Sequence, residues 1–333
     1  MSQPPSKRKK DDSYIDSLLR PQSWNDYIGQ DRIKKNLGII LEAARKRGEP
    51  VDHLLFYGQA GLGKTTLACL VASEMGAQLQ TTSGPVIKKV GDLAAVLSNL
   101  EPNTVLFIDE AHRLNHMVEE VLYPAMESRK LNIVIGQGIS ARTISLDLPP
   151  FTLIAATTRV NLLSGPLRSR FGATFQLDYY NIDDIEKILE RSAKILGVRV
   201  HDEAFSTIAS SSRATPRVAN RLLKRIRDYS EVHNIPVVTS DVVVTTLEMM
   251  GVDALGLEPH DKKLLEVLIR QFNGGPAGVG SLAAALNEDR SVLEEVYEPY
   301  LIALGLIHRT PGGRIATIRA YEHLNIAPPP RIL

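Results

Sequence analysis

The sequence predicts an α/β domain followed by a small all-helical domain and a winged helix-turn-helix. Up to about residue 180, short apolar runs rich in Val, Ile and Phe alternate with helical patterns. Wholly apolar runs of this kind are what a parallel sheet covered on both faces requires. From Asn181 the patterns are helical, and a hairpin pattern appears near residue 310. These observations predict an α/β domain with two smaller, mainly helical parts attached.

Composition limits the class of protein. A chain of 333 residues is long enough for two or three domains. We find no apolar run near the ~20 residues of a membrane span and no secretory segment near the start. The lone cysteine, Cys69, cannot form an intramolecular disulfide, so we expect a cytoplasmic protein. The net charge of +1 means that any nucleic-acid binding must depend on local patches.

The N-terminal segment is polar. Residues 1–13 contain four consecutive basic residues followed by two aspartates, which predicts a disordered tail. A non-specific contact with a polyanion is the alternative. A helix is predicted from about Asp31 to Arg47, because its apolar residues recur on one face.

The central motif is the glycine-rich stretch of residues 58–66, which lies between an apolar run at 53–57 and a helical pattern. Glycines allow tight bends and a close approach to phosphate oxygens, and the following helix N-terminus favours anions. Lys64 is predicted to reach the β- and γ-phosphates, and the Thr65 hydroxyl to ligate Mg²⁺. The alternative is an ordinary glycine-rich turn with a surface lysine, which the flanking strand and helix disfavour.

A second apolar strand, residues 105–108, ends in Asp109 and Glu110. Acidic residues at this end of a parallel strand lie at the ligand-binding edge of the sheet. Asp109 is predicted to hold Mg²⁺ through water, and Glu110 to orient or deprotonate the attacking water. A helix is predicted at 114–127.

Residues 131–139 and 142–146 form two β-rich arms around a glycine-containing turn, which predicts a hairpin with Ile139 near its tip. The hairpin is interpreted either as a partner-binding projection or as a purely structural element. The sequence alone favours neither.

The run at 151–156 predicts another buried strand, followed by Thr157 and Thr158. A polar residue there is expected at the edge of the sheet, between the glycine-rich loop at 58–66 (Walker A) and the Asp109-Glu110 pair (Walker B). Arg168 and Arg170 come next, between a proline and Phe171. Such a guanidinium can act as an arginine finger on a neighbouring subunit's nucleotide, which is typically worth ~10³ to 10⁵ in rate.

Residues 181–254 are predicted to form the all-helical domain. Asn181 is expected to cap its first helix, and Thr215 with Pro216 to begin another. Arg217 lies in the first turn of that helix, where a cation is unfavourable against the helix dipole. This placement suggests a role such as pairing with phosphate.

The C-terminal part combines a helix from about residue 259, helical segments at 281–286 and 291–304, and strands at 306–309 and 314–318 around a turn. Between Pro299 and Tyr321 the sequence has arginines but no acidic residue. We therefore expect positive charge to be concentrated on the hairpin of these two strands, called the wing, where it would contact duplex phosphates. A winged helix that binds protein is the alternative.

Several stretches closely resemble the RuvB family of hexameric AAA+ motors, which drive branch migration of Holliday junctions. The resemblance covers about residues 14–330. Its most specific stretches are residues 52–55, 81–85, 91–95, 121–127, 148–152, 165–172 and 298–302. It implies an α/β AAA+ P-loop NTPase domain at 14–180, a small helical lid domain at 181–254 and a C-terminal winged-helix DNA-binding domain at 255–333. It also implies ATP/ADP and Mg²⁺ as cofactors.

The resemblance also assigns individual residues. It implies that the nucleotide is bound in the loop by Gly61, Leu62, Gly63, Lys64, Thr65 and Thr66 and framed by Leu19, Arg20 and Tyr180. Asp109 and Glu110 would be Walker B, Thr158 sensor 1, Arg217 the sensor-2 arginine and Arg170, rather than Arg168, the finger. Glu127, Ser128 and Arg129 would face the nucleotide from a neighbouring subunit.

The implied partners are double-stranded DNA at Holliday junctions, RuvA, the RuvC resolvase and other copies of this chain in a homo-hexamer. Arg290, Arg309 and Arg314 would contact DNA, and the hairpin at 130–146 would dock on RuvA. Gln59-Ala60 and Ser128-Arg129-Lys130 depart from the family pattern. A clamp-loader-like switch and a protein-remodelling ATPase are the alternatives. The winged helix disfavours the clamp loader, because clamp loaders end in a helical collar.

Overall fold

The computed structural model describes residues 15–135 and 142–328, which form two compact units. One unit ends at Tyr180 and the other begins at Asn181. The predicted tail at 1–13 and Ile139 of the predicted hairpin tip lie outside the described residues.

The first unit contains a parallel sheet and a separate antiparallel hairpin. Its strands are β1 (Leu54–Tyr57), β2 (Leu79–Ser83), β3 (Thr104–Asp109), β4 (Lys130–Ile135), β5 (Arg142–Asp147), β6 (Phe151–Thr157) and β7 (Ala173–Gln176). Its α-helices are α1 (Asp31–Arg47), α2 (Lys64–Glu74), α3 (Val90–Ser98), α4 (His116–Ser128) and α5 (Gly165–Arg168). The five-stranded sheet has the order β2-β3-β6-β1-β7, and β4 pairs with β5 in the hairpin.

The sheet lies in the core because its central strands are apolar on both faces. All seven residues of β6 are buried. Leu55, Leu106 and Leu153 are completely buried and pack in one cluster with side chains of α3 and α4. Burying one such leucine is worth about 2 kcal/mol. Because the strands are parallel, β1, β3 and β6 all end at the same edge.

The sequence did not predict β7, which pairs with β1 at the edge of the sheet. Phe175 is the only buried residue of its four. A strand this short with one buried side chain has too little periodicity to be distinguished from a loop.

The second unit is mainly helical, with one hairpin before its last helix. Its helices are α6 (Ile182–Leu196), α7 (Asp202–Ser210), α8 (Pro216–Val232), α9 (Ser240–Met249), α10 (Pro259–Arg270), α11 (Val279–Leu286), α12 (residues 290–303, with a π-helical turn at Leu293–Tyr297) and α13 (Ile318–His323). Strands β8 (Ile307–Thr310) and β9 (Gly313–Ala316) form the hairpin. Asn181 and Thr215 cap α6 and α8 with their side chains, which confirms both predicted caps.

The predicted strand at 314–318 is too long at its end. β9 stops at Ala316, and Ile318 begins α13. The Thr317 hydroxyl donates to the Gly305 carbonyl at 2.7 Å and lies 3.1 Å from the Leu306 carbonyl oxygen. Thr317 is the N-cap residue of α13, so the apolar residue after it starts a helix.

Candidate functional site

The phosphate-binding loop connects β1 to α2, as predicted. Gly58, Gly61 and Gly63 have φ angles of 142°, 84° and 102°, a region that residues with a Cβ rarely adopt. A Cβ on Gly58 would lie 2.5 Å from the carbonyl oxygen of Leu177. Glycine is therefore required here both by conformation and by space.

Lys64 is the first residue of α2 and is only 8% exposed. Its Nζ donates to the carbonyl oxygens of Gly58 and Gln59, each at 2.8 Å. The first turn of α2 contains no acidic residue, so no side-chain charge there offsets the helix dipole. Thr65 and Thr66 lie half-buried in the same turn. The helix start is therefore well suited to an anion.

Two tyrosines hold the loop from the side. The Tyr180 hydroxyl donates to the Leu62 carbonyl at 3.3 Å and lies 3.2 Å from the Tyr27 hydroxyl. Burial, with Tyr180 close by, raises the pKa of Tyr27 well above its usual value. Tyr27 was not among the predicted site residues, because one aromatic residue in an irregular segment carries no motif.

The other two predicted framing residues lie before α1. Leu19 is buried, and the exposed Arg20 donates to the Cys69 sulfur of α2 at 3.4 Å. Arg20 therefore lies against the helix that begins at the phosphate-binding loop.

Asp109 is the last residue of β3 and Glu110 follows it, at the predicted edge. The Glu110 backbone N–H donates to Asp109 Oδ1 at 2.9 Å, and the Glu110 side chain is exposed beside Arg113. Glu110 has a φ of 49°. A left-handed backbone is unusual for a residue with a side chain and is often found at functional sites.

Thr158 directly follows β6, which lies between β1 and β3. This confirms the prediction that this strand end lies between the two Walker elements. His112, just after Walker B, bonds the buried Thr157 hydroxyl through Nδ1 at 2.9 Å. The bond joins the turn after β3 to the end of β6, and the sequence did not predict it.

Arg170 lies beside the end of α4, in a cluster that sequence motifs did not reveal. Its Nη2 is 3.1 Å from Glu127 Oε1, its Nη1 donates to the Pro166 carbonyl at 2.7 Å, and its guanidinium lies 4.6 Å from the centre of the Tyr123 ring. Ser128 and Arg129 are exposed at the end of the same helix. The structure thus brings Arg170 and the 127–129 segment together.

In the second unit, Arg217 is exposed in the first turn of α8, as the sequence predicted. The neighbouring arginines of this helix are paired. Arg221 contacts Glu258, and Arg225 and Arg227 contact Asp228.

The prediction that positive charge is concentrated on the wing is wrong in part. Glu298 of α12 is completely buried and accepts hydrogen bonds from Arg314 Nε at 2.7 Å and Arg314 Nη2 at 3.0 Å. Arg309 also donates to it. The carboxylate lies outside the acid-free segment but folds against it, and so offsets part of its charge. Arg290 is exposed, with its guanidinium over Gly280.

Within residues 15–135 and 142–328, no group of three or more His, Cys, Asp or Glu side chains could hold a metal ion. No helix in those ranges is long and apolar enough to cross a membrane.

Three family models cover most of the chain. Residues 19–177 match the Holliday junction DNA helicase RuvB P-loop domain, 180–253 the RuvB AAA lid domain, and 254–325 the RuvB C-terminal winged helix domain. Solved structures agree. The Thermotoga maritima RuvB Holliday junction branch migration motor has 46% sequence identity and a TM-score of 0.87, over 94% of this chain and 100% of that one.

The K64R mutant of Thermotoga maritima RuvB is 46% identical with a TM-score of 0.88, over 94% of this chain and 100% of that chain. The R170A mutant is 46% identical with a TM-score of 0.86, over 93% and 99%. These matches extend through the P-loop, lid and winged-helix parts. The chain therefore belongs to the RuvB family of AAA+ ATPases, the motors of Holliday junction branch migration.

Proposed function

We propose that this chain moves duplex DNA at Holliday junctions with ATP hydrolysed at residues 58–66, 109–110 and 158. One observation carries the proposal. A buried Lys64 begins a helix with no acidic first turn, and the ends of β3 and β6 lie at the same sheet edge as the end of β1. This arrangement supplies phosphate donors next to carboxylates, which hydrolysis of a phosphoanhydride needs.

Lys64 and the backbone N–H groups of residues 61–66 bind the ATP phosphates. Leu19, Arg20 and Tyr180 frame the nucleotide, and Arg217 pairs with its phosphates from the lid. The hydrogen bond from the Tyr180 hydroxyl to the Leu62 carbonyl supports the framing role of Tyr180, because it holds the loop in place without a ligand.

Thr65 and Asp109 would hold Mg²⁺. The donors fit, because Mg²⁺ prefers hard oxygen ligands and uses one or two protein groups with substrate phosphates and water. When bound, the ion neutralises charge on the β- and γ-phosphate oxygens. Glu110 orients and deprotonates the attacking water, while Thr158 contacts the γ-phosphate from the neighbouring strand end. ADP is the product.

Arg170 acts on the nucleotide of an adjacent subunit in a homo-hexamer. Its closeness to Glu127 supports the proposal that residues 127–129 face the same nucleotide. The pair is exposed on the Glu127 side, where the carboxylate is 59% accessible. A phosphate can therefore replace Glu127 as the partner of Arg170 at low cost.

Arg290, Arg309 and Arg314 contact DNA phosphates. The Arg309 side chain is 50% exposed and that of Arg314 only 10% exposed. Arg309 is therefore the stronger candidate for a direct contact, because Arg314 already donates to both Glu298 and Glu294.

The hairpin of β4 and β5, within residues 130–146, docks on RuvA, and RuvC joins the same assembly. Ile144 and Leu146 are 44% and 42% exposed on β5, which supports a partner surface. The protein acts in the cytoplasm. We also propose the lid at 181–254 and the winged helix at 255–333 as separate domains, although both lie in one compact unit.

The test is Lys64→Ala, with Lys46→Ala as the control because Lys46 is exposed on α1. Lys64→Ala should abolish ATP-dependent junction movement and leave DNA binding measurable. Lys46→Ala should keep both. Junction movement by Lys64→Ala at more than a tenth of the normal rate would refute the assignment.

A further inference from the structure

Tyr123 has no role in the site so far, yet it contacts the arginine finger directly. It lies one helical turn before Glu127 on α4, so both side chains lie on one face of that helix. The Tyr123 ring lies under the guanidinium of Arg170, with 4.6 Å between the ring centre and Cζ. Glu127 holds the edge of the same guanidinium at 3.1 Å.

The Tyr123 hydroxyl is also anchored. It lies 2.8 Å from Ser164 Oγ and donates to Glu119 Oε2 at 3.2 Å. Ser164 is the N-cap residue of α5, and its hydroxyl accepts the Leu167 backbone N–H. The Arg170 backbone N–H in turn donates to the Leu167 carbonyl at 3.2 Å. Tyr123 therefore joins α4 to the turn that carries Arg170.

We propose that Tyr123 is a positioning residue for Arg170, which sets the plane of the guanidinium that acts on the neighbouring subunit's nucleotide. The inference rests on the proposed role of Arg170 in trans. A planar cation stacks on an aromatic face, which limits rotation of the guanidinium about its long side chain. Glu127 and the Pro166 carbonyl each use one N–H, and each terminal nitrogen carries a second. The ring thus orients the cation and leaves those donors for phosphate.

Chemistry that depends on a positioned charge is sensitive to small displacements. Loss of the ring should therefore affect turnover and leave ATP binding intact, since Tyr123 lies outside the phosphate-binding loop. The defect should appear in the neighbouring subunit's site and not in the site of the subunit that carries the substitution.

The experiment compares ATPase kinetics of four full-length variants: Tyr123→Leu, Tyr123→Phe, Arg170→Ala and Glu110→Gln. Tyr123→Leu removes the ring, and Tyr123→Phe keeps it but removes the hydroxyl. We expect Tyr123→Leu to lower kcat roughly 3- to 30-fold, the range that a partly buried cation–π contact supports. The KM for ATP should stay within about twofold, and Tyr123→Phe should retain more than about a third of kcat. Tyr123→Gln is a second variant without the ring, in case the leucine variant does not fold.

Mixed rings give the readout that a merely structural role would not produce. A Tyr123→Leu subunit has its own Walker residues, and a Glu110→Gln subunit has an intact Tyr123 and Arg170. Mixing the two should therefore restore hydrolysis at their shared sites, as mixing Arg170→Ala with Glu110→Gln should.

Each other outcome refutes part of the inference. Normal kcat in Tyr123→Leu, with hydrolysis lost in Arg170→Ala, overturns the role of Tyr123 alone. Recovery with Arg170→Ala but not with Tyr123→Leu puts the tyrosine's effect in its own subunit and also overturns it. Normal hydrolysis by Arg170→Ala overturns the finger itself, and the positioning role with it.

Discussion

Glu298→Gln tests whether a buried carboxylate fixes the wing. Glu298 is completely buried and bonds Arg314 twice and Arg309 once. Glutamine has nearly the same shape but no charge. One acceptor oxygen becomes an NH₂ group that faces guanidinium donors, so both arginines lose a charge-assisted bond.

The size of the expected effect on the wing follows from the burial of Glu298. Breaking a buried ion pair by removing one partner costs about 3–5 kcal/mol. In Glu298→Gln, among the described residues, Arg314 would keep only the partly exposed Glu294 as its counter-ion. At about 1.36 kcal/mol per factor of ten, the wing should open about 10² to 10⁴ times more often. Glu294→Gln is the matched control. Its carboxylate is 33% exposed and lies 3.2 Å from Arg314, so loss of this ion pair should cost about 1 kcal/mol or less.

Native-state hydrogen exchange of the full chain measures this locally. The Arg314 and Ala316 amides donate to the carbonyls of Ala277 and Gly274, both at 2.8 Å, and therefore report on opening of β9. Their protection should fall by at least a factor of about 100 in Glu298→Gln and by less than about ten in Glu294→Gln. Equal effects of the two variants would show that burial of Glu298 does not matter, and would refute the reasoning.

Three further predictions use other parts of the chain. Gly63→Ala should reduce ATP affinity at least about tenfold, because alanine is strained at a φ of 102°. Gly38→Ala in α1 is the control and should leave the affinity unchanged, because nothing lies within 4 Å of the added Cβ. Equilibrium binding of a fluorescent ATP analogue measures both affinities. Burial lowers the pKa of His53, so the unfolded chain binds a proton at this residue more readily than the folded first unit does. The first unit should therefore lose stability as pH falls below about 6.5. Thermal melts at several pH values should show a smaller dependence of stability on pH in His53→Gln. In salt titrations of duplex binding, Arg309→Ala should reduce the slope by about 1 and Arg314→Ala by clearly less; equal reductions would contradict the difference in exposure.

The sequence predicted the features that local backbone physics determines. Glycines were predicted in this loop because a tight bend and a close approach to phosphate leave no room for a Cβ. Gly58, Gly61 and Gly63 all have the positive φ that such a bend uses. The buried strands β3 and β6 were predicted because four or more apolar residues in a row have few alternatives in an α/β domain. The caps at Asn181 and Thr215 depend on neighbours three residues away, so they could also be predicted.

Contacts between residues far apart in sequence could not be predicted from the chain. Counting charges between Pro299 and Tyr321 suggested a bare positive wing, but Glu298 lies just outside that window and folds onto it. The Tyr27–Tyr180 bond joins residues 153 positions apart. Neither the Glu298 contact nor the tyrosine pair follows from a local sequence pattern, so only the packed structure shows these contacts.

Arg170 and Arg314 are both predicted to bind groups outside this chain, and burial of their carboxylate partners distinguishes them. Arg170 pairs with Glu127, whose carboxylate is 59% exposed, so water can solvate the carboxylate when the arginine leaves it. Such a pair is worth about 0–1 kcal/mol, and a triphosphate of higher charge can replace it. Arg314 pairs with Glu298, which is 1% exposed, so its departure would leave the buried carboxylate with the half-exposed Arg309 alone. Breaking a buried pair in this way costs about 3–5 kcal/mol. Arg170 is therefore suited to exchange partners in each ATPase cycle, whereas Arg314 is suited to stay bound and keep the wing in place beside DNA.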